Sequence, residues 1–253
     1  MRLLRKTTLA GLSLAGLLLA GLLLSPPPAA AETSAAERAK IESVIRDYLL
    51  ANPEIVMEAL EELDRRVEAR AEADRAQALA ESREQLERDP ASPVLGNPDG
   101  DVVVVEFFDY QCGYCKQVAE PLRRLLEEDA GVRLVMKEFP ILGPASVQGA
   151  RAALAAARQG LYEEFHWALM GHRGQLSEAR VLEIAEASGL DVTRLRADMR
   201  DPAIEEKLRN NYRLAESLDI RGTPAFVVGG TLLPGAVPLE RLRQVVAEAR
   251  AGG

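Results

Sequence analysis

The apolar positions change period once along the chain, and that change divides it. Ile41, Val44, Ile45, Tyr48 and Leu49 fall on one face of a helix. Asn52-Pro53 reads as a stop and a restart, with Asn52 as N-cap and Pro53 as the first residue of a second helix. There Val56, Leu60, Leu63 and Val67 are spaced four, three, four, a coiled-coil seam of about two heptads. Beyond Val67 the seam fades into alanine and charge, with Leu79 and Leu86 isolated and no turn signal before Glu87, so one very long helix is predicted. Such a helix cannot bury its stripe alone. It either folds back onto the rest of the chain or packs against copies of itself, and the expectation is a homo-oligomer. Asp89-Pro90-Ala91-Ser92-Pro93 then reads as a stiff linker.

From Val94 the pattern is mixed. Asn97-Pro98-Asp99-Gly100 is a turn, and Val102 to Phe108 is a β-branched and aromatic run that reads as a buried strand. Cys112 to about Ala130 carries Val118, Leu122, Leu125 and Leu126 at helical spacing, with Pro121 as a kink. Val132 to Phe139 is a second strand, which completes a βαβ unit with a parallel pair. Helix punctuation follows: Pro144, an apolar stretch from Leu161 to Met170, N-cap candidates Ser177 and Asp191, and the cap-then-proline pair Asp201-Pro202. Sheet returns at Ala225 to Val228, turns at Gly229-Gly230 and continues from Thr231 to Leu233 before a helix opening at Pro238. The predicted class is α/β, a small mixed sheet with a helical insertion at about 144–217, preceded by an all-α extension. The predicted divisions are 1–31, 32–89 and 90–253.

The first of these reads as targeting rather than fold. Arg2, Arg5 and Lys6 precede an uncharged run from Leu9 to Leu24, Pro26 to Pro28 break it, and Ala29-Ala30-Ala31 offers a cleavage site after Ala31. An uncleaved membrane anchor is the alternative reading. Export of this kind implies a periplasmic, oxidising compartment. The net charge is −8, and with the three leader cations removed the remainder stands at −11, which disfavours nucleic acid as a partner.

The only two cysteines stand as Cys112-Gly113-Tyr114-Cys115, where a strand hands over to a helix. A thiol at a helix N-terminus has its thiolate favoured by unpaired N–H groups and the macrodipole. The i, i+3 spacing places the second sulfur on the same face, within reach to resolve a mixed disulfide. A bridge closing so short a loop restricts the unfolded chain little, so a purely structural role is poorly motivated. Half a zinc site is the competing reading, but His166 and His172 share no helical face that would complete it. Two thiolates could also hold Cu(I) at Cys112 and Cys115, which leaves copper handling as the alternative to redox catalysis.

The segment Val105 to Cys115, the strand exit Glu138-Phe139-Pro140-Ile141-Leu142-Gly143 and the run Gly222-Thr223-Pro224-Ala225-Phe226 together resemble the DsbA family of thioredoxin-fold thiol–disulfide oxidoreductases. The preceding helices resemble the multimerisation stalk of suppressor-of-copper-sensitivity C-type proteins, a branch of that family. The resemblance implies a thioredoxin fold in which Cys112 is the exposed nucleophile and Cys115 the shielded resolving thiol. It implies that Gly113 and Tyr114 tune the redox potential. Pro224 would be a cis-proline against the cysteine pair, with Thr223 offering backbone hydrogen bonds to an extended substrate. Glu106 would be the buried acid that accepts the proton of Cys115.

Read from the residues alone, an acid directly after Val102 to Val105 is costly to bury without purpose. Either it faces solvent at an edge strand or it is buried with Lys137 as its candidate partner. His166 and Trp167 read as a half-buried, structural helix face. Gly113-Tyr114 and Thr223 resemble the isomerase branch more than the oxidase, and the stalk would supply the oligomer an isomerase uses. The expected activity is thus disulfide isomerase or reductase, with a thiol oxidase as one alternative and a copper-binding or chaperone protein using the same two thiols as the other. It would need no cofactor beyond a redox-active Cys112–Cys115 disulfide. The implied partners are exported client proteins with cysteines and a membrane redox protein.

Overall fold

The computed structural model describes residues 34–252. The expected leader and its expected cleavage site after Ala31 lie outside them. The chain forms two compact units that divide at Leu63 and Asp64. The sequence places the boundary near Asp89; the difference arises because Leu79 and Leu86 sit in the core of the second unit.

The first unit holds α1 (Ala35–Ala51) and the start of α2 (Glu54–Glu81). Ser34 opens α1 with a capping box: its hydroxyl accepts from the Glu37 amide while its own amide donates to the Glu37 carboxylate. Asn52 corrects the expected N-cap. Its backbone and side-chain amides both donate to the Tyr48 carbonyl, at 2.9 and 2.8 Å, so it closes α1 instead of opening α2. The carbonyls left unpaired at a helix end compete for such a donor, and here they win. Ile41, Val44, Ile45, Tyr48, Val56, Leu60, Leu63 and Val67 are all exposed, so the apolar stripe is left uncovered among the described residues.

In the second unit the long helix ends sooner than predicted. A turn at Ser82 separates α2 from α3 (Arg83–Glu87), which turns Leu86 into the core. Five strands follow: β1 (Val94–Gly96), β2 (Val102–Phe108), β3 (Val132–Glu138), β4 (Ala225–Val228) and β5 (Thr231–Pro234). Their order is β1-β3-β2-β4-β5, with β2 and β3 parallel and the other pairs antiparallel. β1 was not predicted, since three residues are too few to show alternation. Between β2 and β3 runs α4 (Gly113–Glu128), continuous through Pro121. The insertion comprises α5 (Pro144–Ala157), α6 (Tyr162–Gly171), α7 (Glu178–Ala187), α8 (Val192–Asp198) and α9 (Pro202–Ser217), and α10 (Leu239–Gly252) closes the fold. Ser177, Asp191 and Asp201 cap α7, α8 and α9 as predicted. Gly229 and Gly230 both have positive φ, the requirement of a two-residue hairpin turn.

Each face of the sheet has its own cover. Val104 and Phe108 pack with Val118, Leu122 and Leu125 of α4 and Val245 of α10, and the insertion joins this cluster through Phe165 and Leu169. Val105, Phe107 and Val135 face the other way, onto Leu214 of α9, Leu218 just past its end and Leu86 of α3. Alternation along β2 thus assigns each residue to a cover, which decides the environment of the acid at position 106.

Candidate active site

The loop before the cysteines is built by one buried acid. Asp109 follows β2 and accepts the Gln111 amide at 2.7 Å on one oxygen; its other oxygen accepts the amides of Ile141 and Leu142 at 2.9 and 3.0 Å. The Cys112 amide donates to the Asp109 carbonyl at 3.0 Å. This turn ends the strand and presents Cys112 as the N-cap of α4 with extended φ and ψ of −74° and 118°. When protonated, its thiol donates to the Thr223 carbonyl, 3.2 Å away across 111 residues of sequence. The Thr223–Pro224 peptide is cis. Cys112, Cys115, Thr223 and Pro224 are therefore brought to one end of the sheet, where the C-terminal end of β2 meets the N-terminal end of antiparallel β4.

The two thiols are chemically unequal. Cys112 is pulled down to about 5, chiefly by the hydrogen bond from Cys115, helped by Thr223 and by the amides of Cys115 and Tyr114 against the opposing effect of burial. Cys115 is fully buried, and its thiol is pushed far above the ordinary range, first by desolvation, then by its hydrogen bond to Cys112 and the charge of Glu106. Both are free thiols, so this is the reduced state. Cys112 stands as a thiolate at neutral pH and Cys115 keeps its proton. Cys112 is itself only 6% exposed, so the nucleophile expected to be exposed is largely covered, while Tyr114 beside it is exposed and a Cβ at Gly113 would meet nothing within 4 Å.

Glu106 lies on the central strand and is 1% exposed, which excludes the edge-strand reading. Burial raises its carboxyl to about 8, with the Cys112 charge adding to the effect. Lys137 is not its partner. It sits opposite Phe107 in the register and on the other face of the sheet, where its ammonium donates to the Gln85 carbonyl at 2.6 Å and the Ser92 hydroxyl at 2.7 Å. One Glu106 oxygen has no hydrogen-bond partner among the described residues.

Sequence reasoning missed a second acid. Glu138 ends β3, is 1% exposed, and accepts the hydroxyls of Tyr110 at 3.2 Å and Tyr162 at 2.9 Å. His166 Nδ1 lies 3.0 Å from the Tyr110 hydroxyl; the ring is fully buried, not half-buried as expected, and burial holds it neutral by lowering it to about 3. The only signal for Glu138 was an acid closing a buried strand. Among the described residues no group of three or more metal-ligating side chains forms, so any Cu(I) would rest on the two thiols alone.

A reactive thiolate at a helix N-terminus, its shielded partner one turn on and a cis-proline loop against them define a thiol–disulfide oxidoreductase. The comparisons agree: a DSBA-like thioredoxin domain matches residues 103–247 and a copper resistance protein ScsC N-terminal domain matches residues 37–70. The chain belongs to the DSBA-like thioredoxin family. A thioredoxin-like oxidoreductase from Silicibacter pomeroyi is 48% identical, with a TM-score of 0.66 over 68% of this chain and 99% of that one. A linker-deletion mutant of Proteus mirabilis ScsC is 30% identical, with a TM-score of 0.67 over 89% of this chain and 100% of that one. A sodium/proton antiporter of Salinispora arenicola is 35% identical over 63% of this chain, which spans 25% of the antiporter's length.

Proposed function

We propose that this oxidoreductase acts on exported proteins in the periplasm, as a disulfide isomerase or reductase, through the Cys112–Cys115 pair. The observation that carries the reading is the inequality of the two thiols: a thiolate at Cys112, held against the cis-proline loop, and a protonated Cys115 beneath it. Cys112 attacks a client disulfide; a bond forms from its sulfur to one client sulfur, and the other leaves as thiolate. Glu106, once deprotonated, takes the Cys115 proton, and the Cys115 sulfur then attacks Cys112 to release the client and close the disulfide. In shuffling, a second client thiol displaces Cys112 before Cys115 acts. Thr223 would pair with an extended client backbone, and a membrane redox protein would restore the dithiol.

The exposed stripe of α1 and α2 supports the isomerase over the oxidase, because a homo-oligomer through that stripe would set several Cys112 sites around one client. No helix among the described residues is long and apolar enough to cross a membrane. The test is reactivation of scrambled ribonuclease in a glutathione buffer, against Cys112→Ser. Activity lost in that control supports shuffling by Cys112. Rapid oxidation of reduced ribonuclease without shuffling would make the protein an oxidase. Inertness toward both, with stoichiometric Cu(I) binding, would move it to copper handling.

A further inference from the structure

Glu106 and Glu138 stand on adjacent parallel strands. The register pairs Glu106 with Met136 and Phe108 with Glu138, so the two acids share a face as diagonal neighbours. With strands about 4.8 Å apart and a rise of about 3.3 Å per residue, their Cα atoms lie about 8 Å apart, a gap that two glutamate side chains can span. Both are buried, and each has one buried oxygen, Oε1 of Glu106 and Oε2 of Glu138, without a hydrogen-bond partner among the described residues. A buried carboxyl oxygen left unpaired is costly, and two on one face of the sheet behind a proton-transfer step ask for a reason.

We propose that Glu106 and Glu138 form a two-carboxyl proton reserve behind the cysteines, in which Glu138 replaces the proton that Glu106 hands to Cys115. This rests on the reading of Glu106 as the proton partner of Cys115. When a client or glutathione thiolate opens the Cys112–Cys115 disulfide, a sulfur–sulfur bond forms to Cys112 and the Cys115 sulfur leaves with the electron pair. It takes the proton of Glu106. Proton transfer from Glu138 then restores Glu106, and the negative charge comes to rest on Glu138, where the hydroxyls of Tyr110 and Tyr162 already donate. A carboxylate at Glu106 receives no such hydroxyl among the described residues, whereas the two phenols offset part of what burial costs a charge on Glu138. Glu138 touches neither sulfur, so it is a positioning residue that works through Glu106.

The groups that face this pair come from several elements. Cys112 and Cys115 stand at the start of α4, Asp109 and Tyr110 in the loop before it, and Tyr162 and His166 on α6, while Lys207 of α9, bonded to Asp89 and Ser92, feels only the charge of Glu138. The charges of Asp109 and Glu106 and, above all, burial hold Glu138 protonated in the resting state, while the two phenols oppose them. A like-charged pair in one dry space parts with protons singly, so a second carboxyl adds one proton without adding a second charge.

The experiment is single-turnover reduction of the oxidised full chain by glutathione, acid-quenched, across pH and in H2O and D2O. Glu138→Gln keeps the shape and the phenol acceptor but carries no acidic proton. The expected result is a rate lower by about tenfold with a changed solvent isotope effect, while the Cys112 alkylation midpoint stays in place. Glu106→Gln should lower the rate further, by about a hundredfold. Tyr162→Phe keeps the proton on Glu138 but removes one donor to its anion, and should move the pH midpoint of the step upward by about one unit. If Glu138→Gln does not fold, the Tyr162→Phe shift decides. An unchanged rate and isotope effect in Glu138→Gln, an unmoved midpoint in Tyr162→Phe, or a loss accompanied by a displaced Cys112 midpoint overturns the reserve. An unaffected Glu106→Gln overturns the reading of Glu106 itself, and the reserve with it; a slow Glu106→Gln beside a normal Glu138→Gln removes the reserve alone.

Discussion

At the scale of the residue, charge is set by where the backbone puts each side chain. Cys112 and Cys115 are the same amino acid one helical turn apart, yet one is a ready thiolate and the other a retained thiol. Iodoacetamide alkylation of Cys112 should accordingly follow a midpoint near pH 5, with Cys115 unreactive in the folded protein. Because the folded thiol is depressed from about 9, it adds stability to the reduced form that is full above pH 9 and lost as pH falls through 5. Glu106 has the opposite sign. Its folded carboxyl is raised from 4.5 to about 8, so stability is greatest below pH 4.5 and declines as pH rises through 8. Urea titrations should therefore show the reduced form gaining on the oxidised one between pH 5 and 9. Glu106→Gln should flatten the decline and stabilise the protein at pH 7 by about 1–3 kcal/mol, while slowing the exchange. A destabilised Glu106→Gln would contradict the burial of an unpaired acid.

At the scale of the element, the segment expected to be a linker is a fastening. Asp89 accepts both Lys207 of α9 and Lys137 of β3, and Ser92 accepts both ammoniums at 2.7 Å. Burial alone would raise the Asp89 carboxyl, but the hydrogen bond and charge of Lys207, with the charge of Lys137, hold it down at about 2. Its contribution is present above about pH 4 and is lost as pH falls toward 2. Asp89→Ala leaves two buried ammoniums without their carboxylate and should cost about 3 kcal/mol in urea unfolding, far more than Asp99→Ala in an exposed turn. An equal cost at the two positions would show that the cluster holds nothing together. Strand β2, helix α4 and the caps of the insertion were legible because each is a local pattern. Strand β1 and the break at Ser82 were not: both exist through partners distant in sequence, Val135 for Val94 and the core for Leu86.

At the scale of the whole molecule, the stripe on α1 and α2 is an apolar surface left exposed among the described residues. Leu60→Glu with Leu63→Glu places charges in the middle of the seam and should reduce the mass in light scattering to that of one chain. Shuffling of scrambled ribonuclease should fall with it, while simple thiol oxidation by Cys112 persists. A monomeric mass for the unmutated protein, or shuffling unimpaired in the double variant, would remove oligomerisation from the function.

What the sequence by itself determined was what depends on order and local chemistry. Hydrophobic period set the helices and the central strands, cap residues set most helix starts, and the Cys112–Cys115 spacing at a strand-to-helix passage announced the reaction. Glu106 was marked by its place after four valines. The partners of the buried charges were decided only in three dimensions, because side-chain alternation in the parallel pair puts Lys137 on the opposite face from Glu106 and puts Glu138 on the same one. Helix α6, folded over that face from the insertion, then brings Tyr162 to a carboxylate 24 residues earlier in the chain and His166 to the Tyr110 hydroxyl 56 residues earlier. No local rule links such positions, since the desolvation that fixes their charges exists only once the sheet has been covered.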